Sequence, residues 1–362
     1  WFGTETGGIN LLNPRQLSIR SYRHDKENPS SLSYNPVNAI YEDAYGTLWV
    51  GTVEGGLNRK ERNSEDFTHY TREHGGLSHN SVSALTSDAD NHLWIGTWGG
   101  GLNLLDLKAP RQILEVISSQ TGGGFPINFI GVLNYDPINE GIWIGANQGL
   151  YFYDPVKKEI TAPLPDKAAE NIHGCIGSII DKEGKLWVGC LEGVYIIDLH
   201  SRSSKGEFQY RHLNYKLDDP SSRLIEKITC FYQGKDGTLW LGSNGYGIYQ
   251  RKIDAQGKEQ FISYSTAQGL PNNSVRGILE DNNGNLWIST NNGLSCYHQA
   301  ENRFINYTIQ DGLIDTQFYW NASCGSSHDL LYFGSVGGLV AIESNRPAAS
   351  LPAAKVRFTR LR

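Results

Sequence analysis

The chain has 362 residues, 39% of them hydrophobic and 19% charged, with a formal net charge of −6. That balance argues against a nucleic-acid partner, because Lys and Arg form no stripe that could follow a phosphate backbone. No apolar run approaches the roughly 18 residues of a membrane span.

Taken in order, the chain opens on Trp1-Phe2-Gly3-Thr4, a short apolar run ending at glycine, and the signature then returns along the whole length. Leu48-Trp49-Val50-Gly51-Thr52 leads to Gly55-Gly56-Leu57-Asn58, and Leu93-Trp94-Ile95-Gly96-Thr97 leads to Gly99-Gly100-Gly101-Leu102-Asn103. Apolar run, glycine turn and second run together predict a β-hairpin, since glycine supplies the φ > 0 conformations that a tight turn needs. Further copies centre on Trp143, Trp187, Trp240 and Trp287, and a last one carries Tyr332 in the tryptophan position. Successive copies are 44 to 53 residues apart.

Each unit contains four strand signals. In the second they begin at Asn80-Ser81-Val82-Ser83-Ala84-Leu85 and pass through a polar turn to Leu93–Gly96 and then Leu102–Leu107. The fourth is clearest elsewhere, as Phe67–Tyr70 or Phe304–Tyr307, and a loop such as Gly269-Leu270-Pro271-Asn272-Asn273 follows it. No helical apolar spacing is sustained. A period of this size with four strands per unit predicts an all-β fold, a β-propeller of four-stranded blades. Seven blades are expected, with an eight-bladed ring closed by the two chain ends as the alternative.

The boundaries follow from the copies. Residues 1–22 form a partial blade, either the end of a preceding propeller or the means of ring closure. Residues 23–344 hold seven complete repeats. Residues 345–362 read as a linker, broken by Pro347 and Pro352, and the first strand of a following domain, Lys355–Arg362. Opening in mid-repeat without a methionine, the chain is expected to be part of a longer protein.

The repeated residue types have structural explanations. Asp43, Asp88, Asp181, Asp236 and Asp281 precede the second strand, where aspartate caps a turn through its own side chain. The tryptophans are expected between adjacent sheets, where each ring buries roughly 150–250 Å², an upper bound of ~4–6 kcal/mol. The five cysteines, Cys175, Cys190, Cys230, Cys296 and Cys324, have no paired short spacing and read as small buried hydrophobes. No metalloprotease, phosphate-loop or nucleophile-elbow pattern occurs, and Gly99–Gly101 and Gly122–Gly124 precede strands or loops rather than helices. Catalytic residues, metal ligands and cofactors are therefore not expected.

Candidate binding residues are those that depart from the repeat. Trp98 and Tyr246 stand in turns between second and third strands, on the same expected face as the loops before the first strands. Just inside the first strand Asn38, Ser83, Gly131, Gly177 and Thr229 are small, whereas Arg276 and Trp320 are large. His79, His173 and Arg223 lie in the preceding loops. Aromatic faces beside fixed polar donors suit sugar rings. Arg276, a charge near the narrow end of a blade, is expected to meet either an internal carboxylate or a ligand.

The phrase N-x-V-x-x-(I/L)-x-x-D-x-x-G-x-L-W-I-G-T-x-x-G-G-L-N, fullest at Asn38 to Asn58, Asn80 to Asn103 and Asn273 to Leu294, resembles the regulator-propeller repeat of bacterial sensor proteins. That resemblance implies the periplasmic part of a hybrid two-component system, in which oligosaccharide binding switches a histidine kinase. It further implies a second, C-terminal propeller beside a neighbouring propeller and an immunoglobulin-like domain. A second copy of the chain is a further partner, and the membrane is met only through other segments. Two other readings stand beside it: a protein-interaction scaffold, and a glycosidase or polysaccharide lyase with two unmatched acids across a cleft.

Overall fold

The computed structural model describes residues 2–4, 8–10, 18–119, 127–165, 172–191, 193–213 and 227–344, with side chains from 18 onward. Trp1, Gly122–Gly124, Arg223 and the expected strand Lys355–Arg362 lie outside these residues.

Within them the chain forms seven four-stranded antiparallel sheets. Blade 1 runs Val37–Glu42, Leu48–Thr52, Gly56–Lys60 and Phe67–Tyr70. Blades 2 to 6 repeat that up-and-down order, starting at Val82, Ile130, Gly177, Ile228 and Val275. Blade 7 takes Phe318–Gly325, Leu330–Ser335 and Gly338–Glu343 from the end of the described chain. Its fourth strand is Ser18–Tyr22, paired antiparallel with Gly338–Glu343 from Ser18↔Glu343 to Tyr22↔Leu339.

This closure differs from the sequence reading of seven complete units within 23–344. Residues 23–344 hold only three strands of blade 7, and the N-terminal strand completes it. A third strand without a partner would leave its N–H and C=O groups open at a sheet edge. The first strands contact one another in sequence around the axis, that of blade 7 meeting that of blade 1, so the ring has seven blades. Phe2–Thr4 and Gly8–Asn10 pair in a two-stranded sheet of their own. Among the described residues helix is limited to 3₁₀ turns such as Thr266–Gln268 and Ile309–Asp311.

The core is seven slabs, one between each pair of neighbouring blades. Trp49 packs with Val82, Leu93 and Ile95 of blade 2, and Trp94 with Ile130, Ile142 and Ile144 of blade 3. The pattern continues at Trp143, Trp187, Trp240 and Trp287, and Tyr332 fills the slab between blades 7 and 1. The glycine two residues beyond Trp49, Trp94, Trp143, Trp187 and Trp240 (serine, Ser289, follows Trp287) has a steric reason, shown at Gly51: a Cβ there would lie 2.5 Å from Val82 Cγ1 of the next blade.

Five rings are also held at the indole nitrogen. Nε1 of Trp49, Trp94, Trp143, Trp187 and Trp287 donates to Asp43, Asp88, Asp136, Asp181 and Asp281 at 2.7 to 3.0 Å. The other carboxylate oxygen accepts turn N–H groups, as Asp43 does from Tyr45 and Thr47. Asp236 caps its turn as expected but holds no indole. Gly234 occupies the clasp position in blade 5, and Asp236 instead accepts from Thr238 N and Oγ1. Asp136, which a longer turn hides in the sequence, takes that role in blade 3.

Four of the cysteines are buried and Cys324 is partly so; the Cys175 and Cys190 thiols touch at 3.2 Å.

Candidate functional site

The turn between second and third strands and the loop entering the next blade meet on one face of the ring. Trp98 bridges Phe129, Gly99 N donates to Asn128 O, Asn244 bridges Ser274, and Gly245 N donates to Asn273 O. Hydroxyls at the end of the second strand lock these turns. Thr97 Oγ1 donates to Gly101 O at 2.9 Å and accepts from Gly100 N, which fixes the turn presenting Trp98. Ser243 Oγ does the same toward Gly247 O and Tyr246 N.

At the same end, the first strands of blades 1, 2, 3, 5 and 6 each carry a register shift, a β-bulge that turns one residue out of the ladder. The shifts lie between Val37 and Ala39, Val82 and Ala84, Ile130 and Val132, Ile228 and Cys230, and Val275 and Gly277. The bulged residues are thus Asn38, Ser83, Gly131, Thr229 and Arg276. In blade 4 the equivalent residue is Ile176, because Gly177 pairs with Gly189; this corrects the sequence reading, which put Gly177 there.

Three bulged side chains stitch their blade to the next. Asn38 Nδ2 donates to Val82 O at 3.2 Å, Ser83 Oγ to Ile130 O at 2.6 Å, and Thr229 Oγ1 to Val275 O at 2.8 Å. Gly131 has no room for such a group: a Cβ there would sit 2.3 Å from Cys175 O.

Arg276 breaks this series. Its side chain reaches Trp320, with Cζ 4.9 Å from the ring centroid. The residue is 8% exposed, and among the described residues its buried Nη1 has no hydrogen-bond partner. Burial lowers its pKa, with no carboxylate among the causes. The expected internal carboxylate is therefore not what it meets.

Trp320 is 43% exposed and belongs to the longest bulge, where Phe318 pairs with Ser335 and the ladder resumes only at Ser323 with Phe333. Asn321, at φ 53°, turns this segment toward the axis, where it lines a channel cavity of about 150 Å³ with Ser83, Ser323 and backbone neighbours. Sequence reasoning did not single out Asn321. The extra residues between Phe318 and Ala322, relative to Val275-Arg276-Gly277, are the signal that marks it.

The candidates thus fall into groups. Arg276 and Trp320 touch, and the turn of Tyr246 leans on the loop entering Arg276's strand. Trp98 is half-buried on the opposite side of the ring, with His79 against its turn; His79 Nδ1 accepts from Ser81 N. His173 is exposed beside the Leu191 turn of blade 4. Among the described residues no group of three or more His, Cys, Asp or Glu side chains could hold a metal ion.

A closed ring of seven blades with irregularity concentrated at one face defines a seven-bladed propeller of the repeat type. Residues 31–54, 76–99, 224–245 and 269–292 match the two component regulator propeller family. Histidine kinase P4 of Formosa agariphila is 26% identical over 172 residues, 46% of this chain and 12% of that protein. The extracellular domain of B. thetaiotaomicron BT3049, assigned to a hybrid two component system, superposes with a TM-score of 0.73 at 26% identity. That match covers 91% of this chain and 41% of the other. The extracellular domain of BT4673, assigned to a one component system of the same organism, shares the fold at a TM-score of 0.66 and 18% identity, over 90% and 40% of the two chains. The chain thus spans less than half the length of each.

Proposed function

We propose that the chain is an extracytoplasmic, ligand-sensing propeller of a two-component signalling protein, non-catalytic in itself. In this reading it binds an oligosaccharide at the bulged face and relays binding to a histidine kinase carried elsewhere in the protein. The observation that carries it is the Arg276–Trp320 pair at the rim of the channel, a donor and an aromatic ring where neighbouring blades keep small stitches. Such a mouth suits sugar rings, whose C–H faces stack on aromatics while their hydroxyls take fixed hydrogen bonds. The histidine kinase and extracellular-domain relatives support the signalling context.

The recurrent carboxylates lie at the opposite ends of the first strands and are engaged by indoles and turn amides, which weighs against a glycosidase or lyase. Calorimetric screening of the full chain against neutral and acidic oligosaccharides tests the reading. Binding without release of new reducing ends is the expected result, and cleavage or a complete lack of binding would sink it.

Exposed apolar side chains on the same face favour a second reading, docking of a neighbouring domain. Tyr34, Phe129, Leu191 and Val336 are each 39% exposed or more. A face that binds a protein module and none of the saccharides would support it.

A further inference from the structure

We propose that Arg276 and Trp320 form a subsite for an anionic group, a carboxylate or sulfate carried by the saccharide ligand. The inference rests on the saccharide-binding reading above and specifies the chemistry of what binds.

The argument begins with an unmet demand. A guanidinium carries five N–H donors in a planar fork, and burial without an acceptor is costly. Arg276 is more than nine-tenths buried, yet its Nη1 has no acceptor among the described residues and no ion pair is formed. The Trp320 ring faces the cation at 4.9 Å and offers its π face, which offsets part of the lost hydration but accepts no planar hydrogen bond. Burial also makes the charged form less favourable than in water.

Position makes the demand informative. The same lattice point in blades 1, 2 and 5 holds Asn38, Ser83 and Thr229, each satisfied by the next blade's carbonyl. A threonine or serine at 276 would continue that stitch. Arginine forgoes it, and blade 7 accommodates the change with a longer bulge that sets Trp320 beside the guanidinium and Asn321 at the channel cavity. Trp320 leaves 43% of its surface open. A ring stacked on that open surface could bring a carboxylate or sulfate to the guanidinium, and such charge-assisted pairs are among the strongest polar contacts. The chain as a whole is negative at −6, so attraction of an anion has to be local.

The test is calorimetry on the full chain with three probe pairs: oligogalacturonates against neutral galacto-oligosaccharides, alginate oligosaccharides against mannan fragments, and sulfated against desulfated carrageenan fragments. At least one acidic probe should bind tenfold or more tightly than its neutral counterpart. The uronate and sulfate arms identify which anion is taken. Arg276→Met should weaken that binding by roughly 10- to 100-fold, as expected for loss of a charge-assisted bond. The same substitution should raise the thermal midpoint of the ligand-free protein, since it removes an unpaired buried charge. Arg276→Lys should retain part of the preference. Equal affinity for acidic and neutral members, an affinity unchanged in Arg276→Met, or binding of neutral probes alone would overturn the subsite and leave the saccharide reading intact. Binding of none of the probes would overturn both.

Discussion

At the scale of the residue, the turn acids and the tryptophans turn out to be one device. The carboxylate organises the turn with one oxygen and holds the indole with the other, so the turn and the slab between blades are coupled. Blade 5 is a natural control, because Gly234 replaces the carboxylate there. Trp187→Phe should therefore cost about 1.5–3 kcal/mol more than Trp240→Phe, the worth of one hydrogen bond to a charged group. Paired thermal or urea unfolding checks this, and equal losses would show that the clasp adds nothing. The turn role of the acids was legible because aspartate caps recur before the second strand. The indole bond was not, since sequence spacing says nothing about which way Nε1 points. For the same reason spacing does not separate Asp236, which caps its turn without an indole, from the clasping acids, and it leaves Asp136 out of the set.

Buried acidic hydrogens at this scale also set an alkaline limit. Burial pushes the Cys230 and Cys296 thiols up to about 12, and the Tyr153 and Tyr232 hydroxyls likewise to about 12. In the unfolded chain cysteine ionises near pH ~8.5 and tyrosine near ~10. Above those values the unfolded state binds fewer protons than the folded one, so stability falls as pH rises. Denaturant midpoints should decline steadily from about pH 8.5 upward, and a flat profile to pH ~11 would contradict the assignment.

At the scale of the element, the first strand with its bulge is where fold and function diverge. Ser83→Ala should cost roughly 1–2 kcal/mol through loss of the bond to Ile130 O. Gly131→Ala should destabilise more than a surface change, because its Cβ would press on the Cys175 carbonyl. Unfolding measurements on both variants decide, and an unchanged midpoint for Gly131→Ala would show that the strands relax freely. The sequence placed Arg276 and Trp320 as outliers without an alignment of other chains, because seven internal copies provide the comparison. It misplaced Gly177 by one position, since a bulge shifts the alternation of faces and glycine alone does not fix the phase. What brings Arg276 to Trp320 across two blades is tertiary, and only the ring shows it.

At the scale of the whole molecule, closure by Ser18–Tyr22 decides the blade number that repeat counting left between seven and eight. Ile19 and Tyr22 pack against the slabs on either side of blade 7, so this strand carries core contacts as well as ladder bonds. Removing residues 1–22 should lower the thermal midpoint by several degrees and promote concentration-dependent association, whereas removing 1–17 should leave the ring closed. Light scattering with calorimetry separates the two, and identical behaviour of both truncations would contradict the closure.

The reading of this propeller as a sensor that binds at the rim of blades 5 to 7 is tested most directly by hydrogen exchange. Amide exchange would be measured on the full chain with and without the acidic oligosaccharide that binds it. The account predicts protection concentrated at residues 243–247, 273–277 and 317–323, where the Tyr246 turn, the Arg276 bulge and the Trp320 bulge meet. Protection confined to the outer strands, or to the aspartate turns at the opposite face, would contradict it.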